Sequence, residues 1–298
     1  MTPELSITIC SWNTIDDLRL CLQSLQDVQG EADFEVLVVD NHSEDGSPDM
    51  VERDFPWVRL FRMQDNLGFT GGQNHALANR LAPNALLLNS DTIVHEGAIR
   101  RLMEYHREHP EAGMIGPKLL NSDGSLQYSC RRFPNPVAAL FRNTPIGKLF
   151  PNNPFTRDYL MQEWDHSDTR EVDWVSGAAL FASGELIEKI GFLDPEYFMF
   201  CEDVDWCWQC WKAGYKVVYL HDSVITHAIG RSTDKAPNRM IGRFHRSMFR
   251  FYRKNMVAQQ FVLLRPFSLL FCGMALLARA SMFIIKNKID LVKRKLRK

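Results

Sequence analysis

The sequence predicts an α/β protein with a mostly parallel sheet flanked by helices. Short apolar runs that are typical of buried strands alternate with segments in which leucines recur at helical spacing. The run FEVLVVD at 34–40 is almost continuously apolar up to its final acid, as expected for a central parallel strand covered on both faces. Strands that alternate with helices in this way are typical of a parallel sheet with crossover helices.

The elements follow one another through the first third of the chain. Thr14 with Asp17 has the spacing of a capping box and predicts the start of the first helix. Pro48, after Ser47, suits the first position of the second helix. The third helix, over 70–81, follows a glycine-rich turn. The predicted strands cover residues 5–12, 34–40, 57–63 and 85–88.

Polar side chains follow each of these strands. In parallel sheets ligands bind outside the carboxyl ends of the strands, so the four groups together predict one binding site. Turn chemistry alone would also favour asparagine and aspartate at any one of them. No GxGxxG motif follows the first strand, and no P-loop is present, which argues against a hydride-transfer dinucleotide enzyme and a P-loop phosphotransferase. The residues in question are Ser11, Trp12, Asn13, Asp40, Asn41, Asp65, Asn66, Asn89, Ser90 and Asp91.

Composition sets further bounds on the function. The net charge of -1 gives no global reason to expect a nucleic-acid partner. The seven cysteines are irregularly spaced, and Cys207 with Cys210 lacks a second pair of zinc ligands, so a reduced, cytosolic compartment fits best. The first ten residues have neither a basic nor a long apolar segment, and we expect no signal peptide.

The C-terminal segment 236–298 is predicted to be a helical tail that associates with a membrane. Its first part is basic with interleaved aromatic residues, a signature of membrane-surface helices that nucleic-acid binding also shares. The uncharged stretch 266–278 favours the membrane, but it is shorter than the about twenty residues of a span. An interfacial or re-entrant helix pair is therefore expected. The alternatives are a helix packed on the protein's own core and an oligomer contact. Residues 286–298 carry seven basic residues and one acid, a net +6 that suits anionic headgroups on the cytoplasmic side.

Several segments together resemble the inverting family 2 glycosyltransferases of the GT-A fold, which has a Rossmann-like sheet. The resemblance covers about residues 5–235 in the family's order, and among subgroups it is most similar to bacterial rhamnosyltransferases of cell-surface polysaccharide assembly. No QxxRW motif of the processive members is present, so addition of one or a few sugars is expected. The matching segments are VDNHS at 39–43, NLGF at 66–69 with GG at 71–72 and Asn74, LNSD at 88–91, WVSGA at 174–178, FMFCEDVD at 198–205, and His227 with GRS at 230–232.

The resemblance implies two halves of one domain, a donor-binding half at 1–115 and an acceptor and catalytic half at 116–235. In the family the counterpart of Asp40 hydrogen-bonds the nucleotide. Glycines and helix amides near residue 68 suit a phosphate or a sugar hydroxyl. The loop-rich insertion 134–170 is expected to shape the acceptor entrance. The predicted donor-binding residues are Ser11, Asn13, Asp40, Asn66, Gly68, Gly72, Asn89, Ser90, Arg231 and Ser232, and those on the acceptor side are Trp174 and Gly177.

A metal and a base complete the predicted chemistry. A divalent metal neutralises a diphosphate leaving group, and Mg²⁺ or Mn²⁺ would be held by Asp91 and His227. Asn89 stands where the family's DxD motif has its first Asp. Inversion needs one general base and no covalent nucleophile. The family places that base at Asp203, with Glu202 in reserve, although acids in a first helical turn are also ordinary dipole partners.

Three other functions stay open on the sequence alone. The donor is best matched by dTDP-rhamnose, but another UDP- or GDP-sugar would use the same residues. A nucleotidyltransferase would share the sheet and the metal, but it normally has a glycine-rich, basic loop where this chain has SWNTIDD. Asn89 also fits a catalytically weak sugar-nucleotide or glycan-binding protein. The sequence leaves the acceptor, the linkage and the oligomeric state open.

Overall fold

A computed structural model describes residues 2–135, 138, 141, 142, 144–228 and 237–296 of the chain. Its strands are β1 Leu5–Ser11, β2 Phe34–Asp40, β3 Arg59–Arg62, β4 Asn84–Asn89, β5 Thr92–Val94, β6 Ala112–Leu120, β7 Leu126–Gln127, β8 Cys130–Arg131, β9 Arg170–Glu171, β10 Trp174–Val175, β11 Ala179–Ala182 and β12 Lys216–His227. Its α-helices are α1 Ile15–Asp27, α2 Ser47–Asp54, α3 Gly68–Ala78, α4 Ala98–Glu108, α5 Pro145–Leu149, α6 Pro154–Tyr159, α7 Gly184–Ile190, α8 Glu202–Lys212, α9 Pro237–Phe251 and α10 Arg265–Leu296.

The main sheet has the strand order β3-β2-β1-β4-β11-β6-β12-β5. β3, β2, β1 and β4 are parallel, β11 runs antiparallel to both of its neighbours, and β6 and β12 are again parallel. The register sets Ser11 beside Asp40 and Cys10 beside Asn89. The predicted mostly parallel α/β sheet is therefore confirmed, and the ends of three predicted strands lie side by side.

The predicted elements agree with the structure apart from their boundaries and one cap. β2 covers the predicted residues, and Pro48 lies in the first turn of α2 as expected. The predicted capping by Thr14 is wrong, because its side chain makes no cap hydrogen bond. Its hydroxyl instead lies 3.0 Å from the hydroxyls of Ser11 and Ser90, and the Ile15 N–H donates to Asp45 across a loop.

Apolar side chains fill both faces of the sheet. One cluster packs α1, α2 and α4 against one face, with Ile7, Leu22 and Phe181 fully buried. The other cluster lies beneath α7 and α8 and includes Trp206 and Tyr219. The strands read as continuous apolar runs because both faces are covered.

The C-terminal segment differs from the expected helix pair. α9 packs on the sheet-containing part of the chain, where Phe251 is 1% exposed. After a short π-turn and 3-10 turns, α10 is one continuous helix of 32 residues, so the predicted helix pair is wrong. By length and composition, the stretch Val262–Ile289 is sufficient to cross a membrane.

α10 lies alongside α9 rather than projecting away from the body. The rings of His245 on α9 and Phe283 on α10 are 6.1 Å apart, and Asn287 donates to Asn238 at 3.2 Å. The opposite face of α10 leaves large apolar side chains exposed. These are Phe267, Leu270, Phe271, Met274, Leu277, Ile285 and Ile289, a set hereafter called the apolar stripe.

Candidate active site

One edge of the sheet gathers most of the predicted functional residues. β1, β2 and β4 end there, and β11 begins there because it is antiparallel to β4, so that the Asn89 N–H donates to the Ala178 carbonyl at 2.9 Å. β12 also ends at this edge with His227, which is paired with Thr92 of β5. The topology therefore brings residues from 11 to 227 into one place.

A cavity of about 500 Å³ opens at this edge and is called the donor cavity. A second cavity of about 610 Å³, the acceptor cavity, lies beside it. Both are lined by Ser176, Glu202 and Asp203. The predicted residues that line the donor cavity are Ser11, Asn66, Gly68, Asn89, Ser90, Asp91, Gly177, Glu202, Asp203 and His227, and Trp174 lines the acceptor cavity.

Asp40 ends β2 as a buried carboxylate, 3% exposed. Its Oδ2 accepts the N–H of Ser43 at 2.9 Å, whereas Oδ1 is buried and has no partner among the described residues. A buried oxygen without a partner is costly, and a ligand hydrogen-bond donor would satisfy it. Asn13 joins the neighbouring loop, because its Oδ1 accepts the N–H of Glu44 at 2.7 Å and its own N–H donates to Ser43.

The glycine-rich turn at α3 has a packing reason. Gly68 has φ +75°, and a Cβ there would lie 2.4 Å from the Phe198 carbonyl oxygen, so only glycine fits. Its N–H is bonded to the Asn66 side chain at 2.9 Å. Gly72 does not line the donor cavity; a Cβ there would lie 2.4 Å from the Cys10 sulfur, so Gly72 lets α3 pack against β1.

Asp91 and His227 face each other at the edge of the donor cavity. Asp91 Oδ1 lies 3.3 Å from His227 Nε2, and Asn89 Nδ2 lies 3.2 Å from the same nitrogen. The other ring nitrogen, Nδ1, lies 2.7 Å from Gln127 Oε1, an oxygen that only accepts. Nδ1 therefore carries the hydrogen, which turns Nε2 towards Asp91 as a potential ligand.

These two side chains suit a divalent ion that is shared with a substrate. Within the described ranges there is no group of three or more His, Cys, Asp and Glu side chains that could hold a metal. A carboxylate and an imidazole are acceptable ligands for Mn²⁺, and the carboxylate also suits Mg²⁺. An ion here would need further ligands from a substrate or water.

Glu202 and Asp203 begin α8 after a strained turn. Phe200 and Cys201 have φ +71° and +65°, a left-handed conformation that costs a non-glycine residue about 1 kcal/mol or more. Strain of this kind is often kept at functional sites. Here the turn brings both acids to the wall that the two cavities share.

The two acids have different surroundings. Asp203 is partly exposed, and its oxygens accept the N–H groups of Gly177 at 3.0 Å and Val204 at 2.8 Å. Burial raises the pKa of Asp203, and these N–H groups and the charge of Arg131 oppose that rise. Burial and the neighbouring Asp203 raise the pKa of Glu202 well above its usual value, and Glu202 Oε2 has no partner among the described residues. Of the two acids, Glu202 therefore holds a proton more readily, and Asp203 is the better site for the negative charge.

Sequence reasoning missed the basic residues around both cavities. Arg239 and Arg243 of α9 line the donor cavity, and Arg243 lies over the Phe198 ring at 3.6 Å. Arg131, Arg142 and Arg279 line the acceptor cavity. The basic, aromatic pattern of α9 was available in the sequence, but it indicated a membrane surface equally well. Residues 231 and 232, predicted to bind the donor, lie outside the described residues.

The fold is an α/β sheet with a polar cavity at the carboxyl ends of its parallel strands, the usual place for a ligand in such sheets. The family model described as glycosyl transferase family 2 matches residues 6–165, more than half of the chain. The chain belongs to this family and is a glycosyltransferase.

Two relatives indicate which members of the family this chain is similar to. The N-acetylglucosaminyl-diphospho-decaprenol L-rhamnosyltransferase of Mycobacterium tuberculosis is 29% identical over 84% of this chain and 84% of its own length. The dTDP-rhamnosyl transferase RfbF of Shigella flexneri is 26% identical over 77% of this chain and 70% of its own. The resemblance to bacterial rhamnosyltransferases is confirmed.

A solved structure supports the fold. The structure of Staphylococcus aureus TarS 1-349 matches with a TM-score of 0.54 at 14% identity, and the match covers 93% of this chain and 80% of the other. At this identity the match concerns the fold alone, and it confirms the predicted GT-A type.

Proposed function

We propose that this chain is an inverting, metal-dependent glycosyltransferase that moves L-rhamnose from dTDP-rhamnose to a glycan or lipid-linked acceptor in cell-surface polysaccharide synthesis. The names of both relatives contain the rhamnosyl group, and one of the two names also contains dTDP, which supports this choice of sugar. The observation that carries the proposal is that Asp203 lies in the wall shared by two cavities. A base at that point would take the proton from an acceptor hydroxyl on one side, and the acceptor oxygen would face the donor's anomeric carbon on the other.

The donor side can hold the nucleotide by hydrogen bonds that the protein itself leaves unmade. The partnerless Oδ1 of Asp40 suits an N–H of the base or a hydroxyl of the ribose. The amide of Asn66 and the hydroxyls of Ser11 and Ser90 supply further polar groups at the cavity wall. Arg243 adds a positive charge for the diphosphate, the role that the sequence assigned to residue 231.

Asp91 and His227 would hold Mg²⁺ or Mn²⁺. When bound, the ion neutralises the charge that develops on the leaving diphosphate. Gln127 fixes the imidazole ring so that Nε2 faces Asp91. Asn89 lies beside Nε2 and keeps a polar, uncharged group where the family has its first Asp.

Asp203 acts as the general base in this proposal. Its carboxylate is oriented by two backbone N–H groups that favour the ionised form, whereas burial raises the pKa of Glu202 and favours its neutral form. It takes the proton from the acceptor hydroxyl as the new glycosidic bond forms and the bond to the diphosphate breaks. Attack from the face opposite the leaving group inverts the anomeric configuration.

A membrane location suits a lipid-linked acceptor. The apolar stripe of α10 is exposed along a helix whose other face packs on α9, and this arrangement favours a helix lying in the interface over one that crosses it. Basic residues at the end of the chain suit anionic headgroups, which places the enzyme in this proposal on the cytoplasmic face of the membrane.

The test is nucleotide diphosphate release from a panel of sugar nucleotides with Mn²⁺ or Mg²⁺ and a membrane lipid extract. Release from dTDP-rhamnose alone, abolished by a chelator, is the expected result. Release from a UDP- or GDP-sugar would overturn the rhamnose assignment and keep the mechanism. No release from any donor, by folded protein with extract of proven acceptor content, would favour the binding protein suggested by Asn89.

A further inference from the structure

Three arginines from distant parts of the chain line the acceptor cavity. Arg131 lies in β8, Arg142 in the insertion after it, and Arg279 in the middle of α10. Throughout the described part of the chain, no acid lies within salt-bridge distance of any of the three. Most other arginines of the body are paired, as Arg250 is with Asp194 at 2.7 Å. The three are called the arginine trio below.

Among the described residues, the direct contacts that hold the trio in position come from neutral groups. Each guanidinium lies over an aromatic ring: Arg131 over Trp174 at 5.1 Å, Arg142 over Tyr159 at 5.3 Å and Arg279 over Phe283 at 5.6 Å. Arg131 donates to the Tyr128 carbonyl at 3.2 Å and Arg142 to the Tyr159 hydroxyl at 3.4 Å, and Arg279 donates to the backbone carbonyl of Arg142 at 3.1 Å, which ties α10 to the insertion. Stacking fixes the plane of a guanidinium and leaves its remaining N–H groups for a ligand.

The trio retains unmade hydrogen bonds inside the protein. The Nε atoms of Arg131 and Arg279 are buried and have no partner among the residues that the structure describes. Burial, together with the charges of Arg131 and Arg279, lowers the pKa of Arg142. Three like charges around one cavity repel one another, and an anion between them would relieve this repulsion and accept the unmade hydrogen bonds.

The rest of the cavity wall indicates what that anion carries. At one end lie Glu202 and Asp203, where the acceptor hydroxyl would be activated. Along α9 the wall is apolar except for His245. The side chains there are Met240, Ile241, Phe244 and Met248, and Phe283 of α10 extends this surface.

We propose that the arginine trio binds the diphosphate of an acceptor in which a diphosphate joins a sugar to a lipid, the class of acceptor in the name of the Mycobacterium tuberculosis relative. This inference rests on the proposed transferase function and assigns the residues of its second cavity that would recognise the acceptor. The sugar would lie at Asp203, the diphosphate between the three guanidinium groups, and the first part of the lipid along the apolar wall of α9. Two or three arginines match the two negative charges of a diphosphate diester, and each planar guanidinium can donate to two phosphate oxygens at once.

Bulk membrane headgroups would offer the same phosphate chemistry, but they fit the geometry less well. Headgroups meet side chains at the protein surface, whereas the partnerless Nε atoms are buried in the cavity wall. Lys288 lies on the same helix as Arg279, is exposed, and does not line the cavity. Comparison of these two positions separates the two sources of phosphate.

The test measures binding of farnesyl diphosphate and of farnesol to the full chain in neutral detergent, with the fluorescence of the tryptophans, including Trp174, as the signal. R142Q and R279Q should each weaken binding of farnesyl diphosphate by about tenfold or more, because each removes charge-assisted hydrogen bonds. K288Q removes the same charge from an exposed site and should change binding by less than about twofold. Farnesol should bind weakly, with no difference between variants.

Several results would overturn the assignment. Equal losses in K288Q and R279Q, matched by weaker binding to phosphatidylglycerol vesicles, would mean that the arginines attract headgroups only. Equal binding of farnesol and farnesyl diphosphate would mean that the cavity recognises the chain alone. R142K keeps the positive charge and should bind farnesyl diphosphate better than R142Q does. This comparison, together with thermal melting curves, shows whether a loss of binding comes from misfolding. No donor or turnover is needed, so failure of nucleotide release would refute the transferase proposal without altering this result.

Discussion

The two neighbouring acids at the start of α8 give the sharpest test of the mechanism. Asp203→Asn and Glu202→Gln are isosteric changes at positions that differ in hydrogen bonding. Asp203 accepts two backbone N–H groups, and these stabilise its ionised form. Glu202 is 6% exposed, with one oxygen lacking a partner among the described residues. If Asp203 is the base, the two variants should behave very differently.

The magnitudes follow from these surroundings. A general base contributes about 10² to 10⁴ in rate, so Asp203→Asn should lower kcat by that factor, or about 2.7–5.5 kcal/mol of activation free energy. Burial and the adjacent Asp203 raise the pKa of Glu202, which favours its neutral form, and glutamine has nearly the same shape and charge as that form. Glu202→Gln should therefore lower kcat by less than about tenfold, the factor that corresponds to the loss of one neutral hydrogen bond.

The assay is kcat and KM for dTDP-rhamnose with saturating metal and acceptor, alongside direct calorimetry of donor binding. Donor affinity should be nearly unchanged in Asp203→Asn, because the carboxylate is needed for proton removal rather than for donor binding. Circular dichroism checks that both variants are folded. A Glu202→Gln variant as inactive as Asp203→Asn would make Glu202 the base. Loss of donor binding in a folded Asp203→Asn variant would mean that this acid has a different role.

Three further predictions concern pH, metal and stability. Glu202 has a pKa in the folded state above its unfolded value of 4.5, so the folded chain binds more protons than the unfolded chain. The free energy of unfolding therefore falls as pH rises above 4.5. E202Q should show a smaller fall in the free energy of unfolding, measured by urea titrations between about pH 5 and 8. Gln127→Leu removes the hydrogen-bond partner of His227 Nδ1. It should raise the Mn²⁺ concentration for half-maximal turnover by about 10–100-fold, with an unchanged melting temperature. An unchanged Mn²⁺ requirement would contradict the assignment of His227 as a metal ligand. Lys254→Met leaves Asp205, whose side chain is 3% exposed, without its cation. The free energy of unfolding should fall by about 2 kcal/mol, less than the ~3–5 kcal/mol for a fully buried pair, because Lys254 is partly exposed. A fall of less than about 0.5 kcal/mol in urea titrations would show that the ion pair does not stabilise the fold.

The sheet and its ligand-binding edge could be predicted from local pattern. A strand such as 34–40 is covered on both faces, and its apolar run leaves little choice of structure. Once the strands are parallel, their carboxyl ends must meet, and Ser11 beside Asp40 follows from that rule. The meeting of Asp91 with His227 needs β5 to pair with β12 across more than a hundred residues, which no local pattern specifies.

Capping and glycine roles depended on tertiary contacts. Thr14 has the sequence context of a cap, but a buried hydroxyl cluster with Ser11 and Ser90 competes for its side chain. Gly72 belongs to a turn that suggested ligand contact, and its requirement for glycine comes from a cysteine on the neighbouring strand. In both cases the deciding partner is distant in sequence.

The predicted break in the C-terminal helix was wrong because charges were counted along the sequence and their positions around the helix were not considered. Arg279 interrupts the apolar stretch, and the sequence argument treated it as the end of a membrane segment. In the structure Arg279 points to the body, where it donates to Arg142, while the apolar stripe continues on the opposite face. A single amphipathic helix therefore accommodates the arginine without a break.

α9 links the donor cavity, the acceptor cavity and α10. Its Arg243 lines the donor cavity, its Phe244 lines the acceptor cavity, and its next residue, His245, contacts Phe283 of α10. A displacement of α10 on a membrane would therefore be transmitted to both cavities through one rigid helix. The same basic, aromatic sequence that predicted a membrane-associating tail also forms a wall shared by the two cavities, because its side chains are divided between them at helical spacing. In the proposed function, membrane contact through α10 and sugar transfer therefore involve one packed body.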